Sequence, residues 1–414
     1  MSDISVDGDR LLGRLKELGN IGRDAGGRLV RLAGSDGDKL GRDLFVCWLS
    51  QAGLDVAVDR IGNIFGIWCP AGTEDCQPLM LGSHIDTVIN AGIYDGCYGV
   101  VAGLEVIQAL KAANFRPIRP IAVAAFTNEE GVRFAPDMMG SLVYARGLDV
   151  DAALSTVGTD GAILGEELKR IGYAGAEAPG FLKPFAYVEL HIEQGPVLER
   201  EGIALGAVEN LQGISWQRIT VEGTANHAGT TPINMRADAG YGAARIIAYL
   251  RERARSSATP TVATVGCLEL EPNAINVIPS RATLTVDLRD PFEHRLKEES
   301  GALGAFLEML AREEQLLISV EQLAQSSPVA FNREIVQMIE GAAEKRGLTC
   351  RRMTSGAGHD AQMIAPIAPT AMIFVPSCGG ISHNPAEYTS KADLVAGANV
   401  LMDVVRHISS QACI

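Results

Sequence analysis

Three uninterrupted apolar runs, each followed by acidic or histidine side chains, constrain the fold of this 414-residue chain most strongly. They cover residues 78–81, 120–126 and 371–375, and such runs are typical of strands buried on both faces. Predicted helices alternate with them, including one at 99–113 between the first two runs. This alternation predicts an α/β domain with a mostly parallel sheet and helices on both faces.

The other elements of this domain are predicted from the spacing of apolar residues. They are helices at 9–33, 38–52, 332–347 and 390–408, and strands at 55–59 and 64–68.

The pattern changes between residues 211 and 327, which predicts a smaller inserted domain. Three segments there alternate apolar and polar residues, as expected for strands of an antiparallel sheet with one solvated face. The predicted strands are 216–222, 261–270 and 282–288, and the predicted helices are 236–256 and 292–315. We therefore expect an α+β domain at 211–327 that interrupts an α/β domain formed by 1–210 and 328–414.

Composition and charge argue against several classes of partner. With 36 basic and 50 acidic residues, the net charge of -14 disfavours nucleic acid or an anionic membrane as the main partner. A small anionic substrate is still compatible, since one arginine can set the sign of a pocket. The eight cysteines include no C-x-x-C pair, and neither a signal-peptide pattern nor a membrane-length apolar segment is present. We expect a cytoplasmic protein with reduced thiols.

The stretch 81–99 places His84, Asp86 and Asp95 among glycines directly after an apolar run. In an extended chain, residues i and i+2 face the same side, so the Asp86 carboxylate could fix the tautomer of a metal-binding His84. Asp95 follows a turn-forming segment and can return toward the same point. The alternative is a strand that ends in a polar loop, with the two carboxylates capping the next element.

Two further segments carry the same residue types. Glu129 and Glu130 follow the run 120–126, and adjacent residues of an extended chain face opposite sides. One could therefore bind a metal while the other holds a proton, although two exposed loop carboxylates are the alternative. His191 lies in another extended segment, 187–195, with acidic residues on the same face.

Ligands of open α/β sheets bind beyond the carboxyl ends of the strands, so these side chains are expected to converge on one site. The set comprises His84, Asp95, Glu129, Glu130, His191 and His383. Imidazole and carboxylate ligands without thiolate suit Zn, Mn, Co or Ni, and the surplus of carboxylates suits two ions bridged by one aspartate. His294 and His407 lie in charged helical stretches and are expected to be solvated.

Six sequence blocks add a resemblance to these patterns. They are Gly82-Ser-His-Ile-Asp-Thr-Val88, Asn128-Glu-Glu-Gly131, His191-Ile-Glu-Gln-Gly195, Asn226-His-Ala-Gly-Thr-Thr-Pro232, Ser355-Gly-Ala-Gly-His-Asp-Ala361 and Ile381-Ser-His-Asn-Pro-Ala-Glu387. In this order they resemble the hydantoinase/carbamoylase amidase family of the binuclear-metal aminoacylase and carboxypeptidase superfamily. The resemblance covers essentially the whole chain.

The resemblance implies two divalent metal ions per subunit, bridged by Asp95. The ligands would be His84 and His191 on one ion, and Glu130 and His383 on the other. Glu129 would be the general base that passes a proton from the attacking water to the leaving nitrogen. The Asp95–Gly96 peptide would be cis, and Asp86 would keep the orienting role that its spacing suggests.

The inserted domain resembles the lid and dimerisation domain of this family, which implies a homodimer. His227 would polarise the scissile carbonyl, in the partner subunit's site, and Asn276 would bind polar substrate groups. Arg289 lies on the polar face of its predicted strand, where it could grip a carboxylate with two hydrogen bonds. The alternative for Arg289 is an ion pair with Asp287 or Asp290. The residues lining the substrate side would be Gln194, Gly358 and His359.

The implied activity is hydrolysis of the terminal ureido C–N bond of an N-carbamoyl-L-amino acid to the amino acid, CO2 and ammonia. Allantoate amidohydrolase and β-ureidopropionase are related alternatives, because these substrates also present a ureido group near a carboxylate. The block 133–141 favours a carbamoylase. A binding protein on the same scaffold would require loss of a ligand or of the base, and all these positions are intact.

Overall fold

The computed structural model describes residues 4–412, which form two compact units. The first unit runs to Glu209 and resumes at Ala330, and the second is Asn210–Val329. Each unit has its own sheet.

The helices and strands follow one another along the chain in an alternating order. The helices are α1 (Gly8–Gly19), α2 (Asp36–Gln51), α3 (Cys97–Ala112), α4 (Met139–Tyr144), α5 (Val150–Leu154), α6 (Leu164–Ile171), α7 (Val197–Glu201), α8 (Ala239–Ser256), α9 (Glu293–Glu313), α10 (Arg333–Lys345), α11 (Asp360–Ile364) and α12 (Lys391–Ile408). The first eight strands are β1 (Asp55–Val58), β2 (Ile64–Trp68), β3 (Leu79–His84), β4 (Ile121–Phe126), β5 (Ala186–Ile192), β6 (Leu205–Leu211), β7 (Gly213–Glu222) and β8 (Asn226–His227). The others are β9 (Val262–Thr264), β10 (Leu268–Glu271), β11 (Val277–Ile278), β12 (Arg281–Asp290), β13 (Leu317–Ser326), β14 (Val329–Ala330), β15 (Cys350–Ser355) and β16 (Thr370–Val375). Within residues 4–412, no helix is both long and apolar enough to span a bilayer.

The sheet of the first unit has a parallel centre with antiparallel margins. Its strand order is β1-β2-β4-β3-β5-β16-β6-β14, with β15 beside β6. The central strands β4, β3, β5 and β16 pair in parallel, whereas β2 and β6 pair antiparallel with the outer two of them. Every residue of these four central strands is buried, which confirms the strands predicted from the three apolar runs.

Helices cover both faces of this sheet, as predicted. On one face, Gly397 of α12 packs so closely that a Cβ there would lie 3.2 Å from Leu190 of β5. On the opposite face, Glu189 of β5 accepts a hydrogen bond from the Ala361 N–H of α11 (2.8 Å). The polar face of β5 is therefore buried as well, and its charged side chains need partners inside the protein.

The second unit is a five-stranded antiparallel sheet of order β10-β12-β7-β13, with β9 beside β12. Helices α8 and α9 pack on its apolar face. The shared core includes Ile219, Val221, Ile246, Leu250, Leu284, Val286, Leu303 and Leu307. This confirms the predicted antiparallel sheet. A separate two-stranded ribbon joins β8 to β11.

Two predicted elements are wrong in extent, and the prediction missed strand β13. Helix α1 ends at Gly19 and does not reach residue 33, because Gly22 and Gly27 adopt positive φ, which no right-handed helix accommodates. The predicted strand 261–270 is two strands, β9 and β10, which both pair with β12. The segment between β9 and β10 has one residue more than the segment of β12 opposite it, which is a β-bulge. Strand β13 was not predicted, because it is largely exposed and its apolar residues do not alternate clearly.

Candidate active site

The predicted ligands lie where the central parallel strands end. His84 is the last residue of β3, His191 is the penultimate residue of β5, and Glu129 follows β4. His383 lies in the loop beyond β16. Since these strands are neighbours in the sheet, their carboxyl ends meet at one edge and bring the side chains together.

Asp95 occupies the middle of this group. Its Oδ1 lies 3.2 Å from His191 Nε2 and 3.8 Å from His84 Nε2, and its Oδ2 lies 3.2 Å from His383 Nε2. Among the described residues, three sets of side chains could each hold a metal ion, and one of them is Glu189, His191 and His359. The two sets that contain predicted ligands only are His84, Asp95 and His191, and Asp95, Glu130 and His383. Asp95 belongs to both sets, as a bridging ligand would.

Backbone carbonyls set the tautomers of two histidines. The Nδ1 atom of His84 is 3.0 Å from the Asp86 carbonyl oxygen, and Nδ1 of His191 is 2.9 Å from the Ile192 carbonyl oxygen. A carbonyl oxygen only accepts, so each Nδ1 carries a hydrogen, and the neutral imidazole then presents the lone pair of Nε2 toward Asp95. This is the state in which imidazole binds a metal.

The predicted function of the Asp86 carboxylate is wrong in detail. That carboxylate lies 3.8 Å from His84 Nδ1, too far for a hydrogen bond, and the Asp86 backbone orients the imidazole in its place. Its two side-chain oxygens accept the N–H groups of Glu129 (3.2 Å) and Glu130 (3.3 Å). Asp86 therefore positions the paired glutamates. The reason is that β3 ends at His84, so the i, i+2 alternation does not extend to residue 86.

The turn after Asp95 depends on a glycine. Gly96 has φ +62°, and a Cβ at this position would lie 2.3 Å from His84 Nε2. The Asp95–Gly96 peptide is not cis, contrary to the prediction, since the cis bonds within residues 4–412 are Ala135–Pro136 and Glu271–Pro272. The chain instead turns through the positive φ of Gly96, which only glycine adopts without strain.

Electrostatics favour a cation at this site. Burial lowers the pKa of His84 to about 4 despite the nearby Asp95, and burial together with neighbouring carboxylates raises the pKa values of Glu129 and Glu130 well above normal. Oε1 of Glu130 is buried and has no hydrogen-bond partner among the described residues. Buried carboxylates in excess, with a free oxygen and two inward lone pairs, fit divalent cations.

A cavity of about 150 Å³ adjoins these side chains. Its lining includes Glu129, Asp137, Gln194, Gly358 and His359. Gln194 donates from Nε2 to Asp95 Oδ2 (2.9 Å), and its own Oε1 is buried without a partner among residues 4–412. His359 packs against His191 with ring centroids 4.5 Å apart, and its Nε2 lies 3.1 Å from Ser355 Oγ. The structure thus brings three predicted substrate residues to the cavity.

The remaining predicted residues belong to the second unit. His227 is exposed on the β8–β11 ribbon, where the Ala228 N–H donates to the Asn276 carbonyl (3.0 Å). The Nδ1 atom of His227 accepts the N–H groups of Gly229 (3.0 Å) and Thr230 (3.2 Å). Because Nδ1 accepts, the hydrogen of this imidazole is on Nε2, which is therefore a donor.

Arg289 adopts the alternative predicted for it. Its Nε lies 3.0 Å from Asp287 Oδ1, and one terminal nitrogen lies 2.8 Å from Asp287 Oδ2. The other predicted partner, Asp290, accepts hydrogen bonds from Thr259 and Thr261 (2.6 Å each). The guanidinium is therefore oriented by a neighbouring carboxylate on the same face of β12.

Two residues without a predicted role contact the site. Ser382 Oγ lies 3.2 Å from Asp95 Oδ2, and Glu387 accepts the Asp95 N–H (3.2 Å). Both lie in the block 381–387 that carried the resemblance around His383. Their position in that block is the sequence signal that could have identified them as site residues.

Comparisons with known proteins agree with this geometry. The chain is 39% identical over 97% of its length to an N-carbamoyl-L-amino-acid amidohydrolase of Rhizobium meliloti, of which it covers 96%. It is 37% identical to the allantoate amidohydrolase of Escherichia coli K12, over 93% of this chain and 94% of that protein. A solved hydantoinase/carbamoylase family amidase from Burkholderia multivorans is 42% identical, with a TM-score of 0.96 and coverage of 99% of both chains.

Residues 80–407 match Peptidase family M20/M25/M40, which covers more than three quarters of the chain. Together with the full-length similarity to solved hydantoinase/carbamoylase amidases, this match shows the family. The chain belongs to the hydantoinase/carbamoylase amidases of peptidase family M20/M25/M40.

Proposed function

We propose that this chain is an N-carbamoyl-L-amino-acid hydrolase, which converts a carbamoyl amino acid and water into the free amino acid, CO2 and ammonia. The observation that carries the proposal is the position of Asp95 in two metal-binding sets beside the buried Glu129. The similarity to an N-carbamoyl-L-amino-acid amidohydrolase over 97% of the chain supports this choice of substrate.

We assign the two ions to the two sets that share Asp95, with Zn, Mn, Co or Ni as candidates. The ligands are His84 and His191 for one ion, Glu130 and His383 for the other. When bound, such ions supply Lewis acidity toward the scissile carbonyl and toward water. The residues of the chain then have to place the substrate and move protons.

Glu129 is the proposed general base. It belongs to neither of those two sets, and its Oε2 lies 3.3 Å from His84 Nε2, at the edge of the cavity. Burial and the nearby Asp360 raise its pKa, so this carboxyl group retains a proton readily. It can therefore take the proton of the attacking water and deliver it to the leaving nitrogen.

His227 is the proposed oxyanion donor. Two backbone N–H groups hold its Nδ1, so its exposed Nε2–H is oriented before any substrate arrives. A fixed donor of this kind stabilises the negative charge that develops on the carbonyl oxygen. Asn276, directly before β11 of the same ribbon, is the proposed partner of polar substrate groups.

Arg289 is the proposed partner of the substrate carboxylate. Its ion pair with Asp287 orients the guanidinium and lowers the entropy that is lost when a second carboxylate binds. Gln194, Gly358 and His359 line the cavity beside the metal sets and are the proposed contacts of the ureido end.

Allantoate amidohydrolase is the second candidate. The chain is 37% identical to an enzyme of that name, and allantoate also combines ureido and carboxylate groups. β-Ureidopropionase is a third alternative, since N-carbamoyl-β-alanine differs from the proposed substrates by one methylene between these groups.

We also propose a cytoplasmic homodimer assembled through the second unit. Strand β13 is a long edge strand with exposed Leu317, Val320 and Leu323, and such an edge favours pairing with another chain. The cysteines within residues 4–412 are free thiols, which suits a reducing compartment.

Substrate choice is tested by measuring ammonia release from N-carbamoyl-L-methionine, N-carbamoyl-β-alanine and allantoate. The protein is first stripped of metal and then given Mn, Co or Zn. We expect the highest kcat/KM for the carbamoyl-L-amino acid and no turnover before metal is added. Preference for allantoate or N-carbamoyl-β-alanine would replace the proposed substrate while leaving the proposed site in place.

Glu129→Gln should lower kcat by about 10²- to 10⁴-fold, the usual contribution of general acid–base catalysis, without changing the bound metal. Steady-state kinetics and elemental analysis of the purified variant measure both quantities. Glu130→Gln is the matched comparison and should lose metal. Loss of metal from the Glu129 variant would show that the two glutamates have exchanged roles.

His227→Ala should lower kcat by about 10²- to 10³-fold, as expected for removal of one oxyanion donor, with a small effect on KM. His294→Ala is the control, since His294 is an exposed histidine of the same unit. Equal kinetics of the His227 variant and the wild type would refute this role.

Arg289→Ala should raise KM for carboxylate substrates by about 10- to 100-fold, because a charge-assisted hydrogen bond contributes about 1.5–3 kcal/mol. Arg218→Ala is the control, because Arg218 forms an ion pair with Glu321 on the same sheet. If both variants keep a normal KM, Arg289 does not bind the substrate carboxylate.

A further inference from the structure

Glu387 is a buried carboxylate that joins two loops of the candidate metal site. Its Oε1 accepts the backbone N–H groups of Tyr94 (3.0 Å) and Asp95 (3.2 Å). Its Oε2 accepts the hydroxyl of Ser382 (3.0 Å), the residue directly before His383. One side chain therefore holds the backbone of the shared aspartate and the loop that carries the opposite histidine.

The contacts form a closed ring. Ser382 Oγ lies 3.2 Å from Asp95 Oδ2, so this hydroxyl lies between the carboxylates of Asp95 and Glu387. The backbone and the side chain of Asp95 are thus both tied to the loop 381–387. Within this ring, Asp95 Oδ2 and His383 Nε2 are 3.2 Å apart.

Gly92 shows independently that the chain before Asp95 packs closely against the carboxyl group of Glu387. A Cβ at residue 92 would lie 2.3 Å from Glu387 Oε1 and 2.5 Å from its Cδ. Any side chain there would displace Glu387 while leaving its carboxyl group present in the protein.

We propose that Glu387 is a positioning residue that holds Asp95 and His383 at the separation required to bind a metal ion. This ion, called the second ion below, is the one assigned to Asp95, Glu130 and His383. This inference rests on the two-ion site of the proposed function. Its effect is larger on the set Asp95, Glu130 and His383, which contains both tied residues, than on the other set, which contains Asp95 alone and whose His84 and His191 are oriented by their own backbone carbonyls. Loss of the Glu387 contacts should therefore weaken one ion much more than the other.

The test is calorimetric titration of metal-stripped protein with Mn²⁺, combined with the magnetic coupling of the Mn²⁺ pair in electron paramagnetic resonance. Wild-type protein should bind two ions and show a coupled pair. Glu387→Ala should bind the first ion with a much smaller loss and the second about 10- to 100-fold more weakly, the usual cost of losing a residue that orients metal ligands. The coupled signal should then give way to that of an isolated ion.

Two further variants keep the result specific. Glu387→Gln retains Oε1 as an acceptor for both N–H groups and a donor for Ser382, so it should restore the second ion to within a few-fold of wild type. Gly92→Ala should reproduce the loss seen in Glu387→Ala. Equal loss in the Gln and Ala variants would contradict a geometric role.

Glu105→Ala is the control for general destabilisation. Glu105 is also a buried glutamate that accepts a backbone N–H, that of Asp7 (2.9 Å), and it lies in α3 away from the ligands. This variant should bind both ions normally. Two ions of unchanged affinity in Glu387→Ala and Gly92→Ala would overturn the positioning role alone, whereas fewer than two ions in the wild type would overturn it together with the proposed two-ion site.

Discussion

The site depends on the contacts of one carboxylate, that of Asp95, with three histidines. It is within 4 Å of imidazoles from three different segments, those of His84, His191 and His383. Burying a carboxylate is costly unless it is paired. Burial raises the pKa of Asp95, but the adjacent imidazoles of His191 and His383 outweigh that effect and hold the pKa well below normal. The parallel order of the central strands makes this possible, because it places all three imidazoles at one edge of the sheet.

The loop that carries Asp95 is held near both of its ends by a buried arginine. The Nε of Arg31 donates to the Ile85 carbonyl (2.6 Å), its backbone N–H donates to Thr87 Oγ1 (2.9 Å), and a terminal nitrogen lies 3.1 Å from Cys97 Sγ. Arg31 thus joins the segment after His84 to the start of α3. A guanidinium with several donors in a fixed plane suits this task, since one side chain satisfies many acceptors in the interior.

The sequence predicts the parts of the site that follow from strand periodicity and strand ends. Uninterrupted apolar runs located three of the four central strands, and the ends of two of them located His84 and Glu129. His191 was placed by the alternation of the extended segment 187–195. Contacts set by turns lay beyond such reasoning. Alternation placed the Asp86 carboxylate beside His84, but the strand ends at His84, two residues before Asp86, so the carboxylate turns to the paired glutamates. The exposed strand β13 was missed because apolar periodicity reports burial, and an edge strand buries little.

In both units, backbone groups fix the tautomers of histidines. In the first, backbone carbonyls hold Nδ1–H of His84 and His191 and leave Nε2 as an acceptor. In the second, backbone N–H groups hold Nδ1 of His227 and leave Nε2 as a donor. Identical side chains thus acquire opposite hydrogen-bonding capacity at Nε2, acceptor in one unit and donor in the other, from the polarity of the adjacent backbone alone. Since each contact is local, each unit orients its own histidines before any ligand binds.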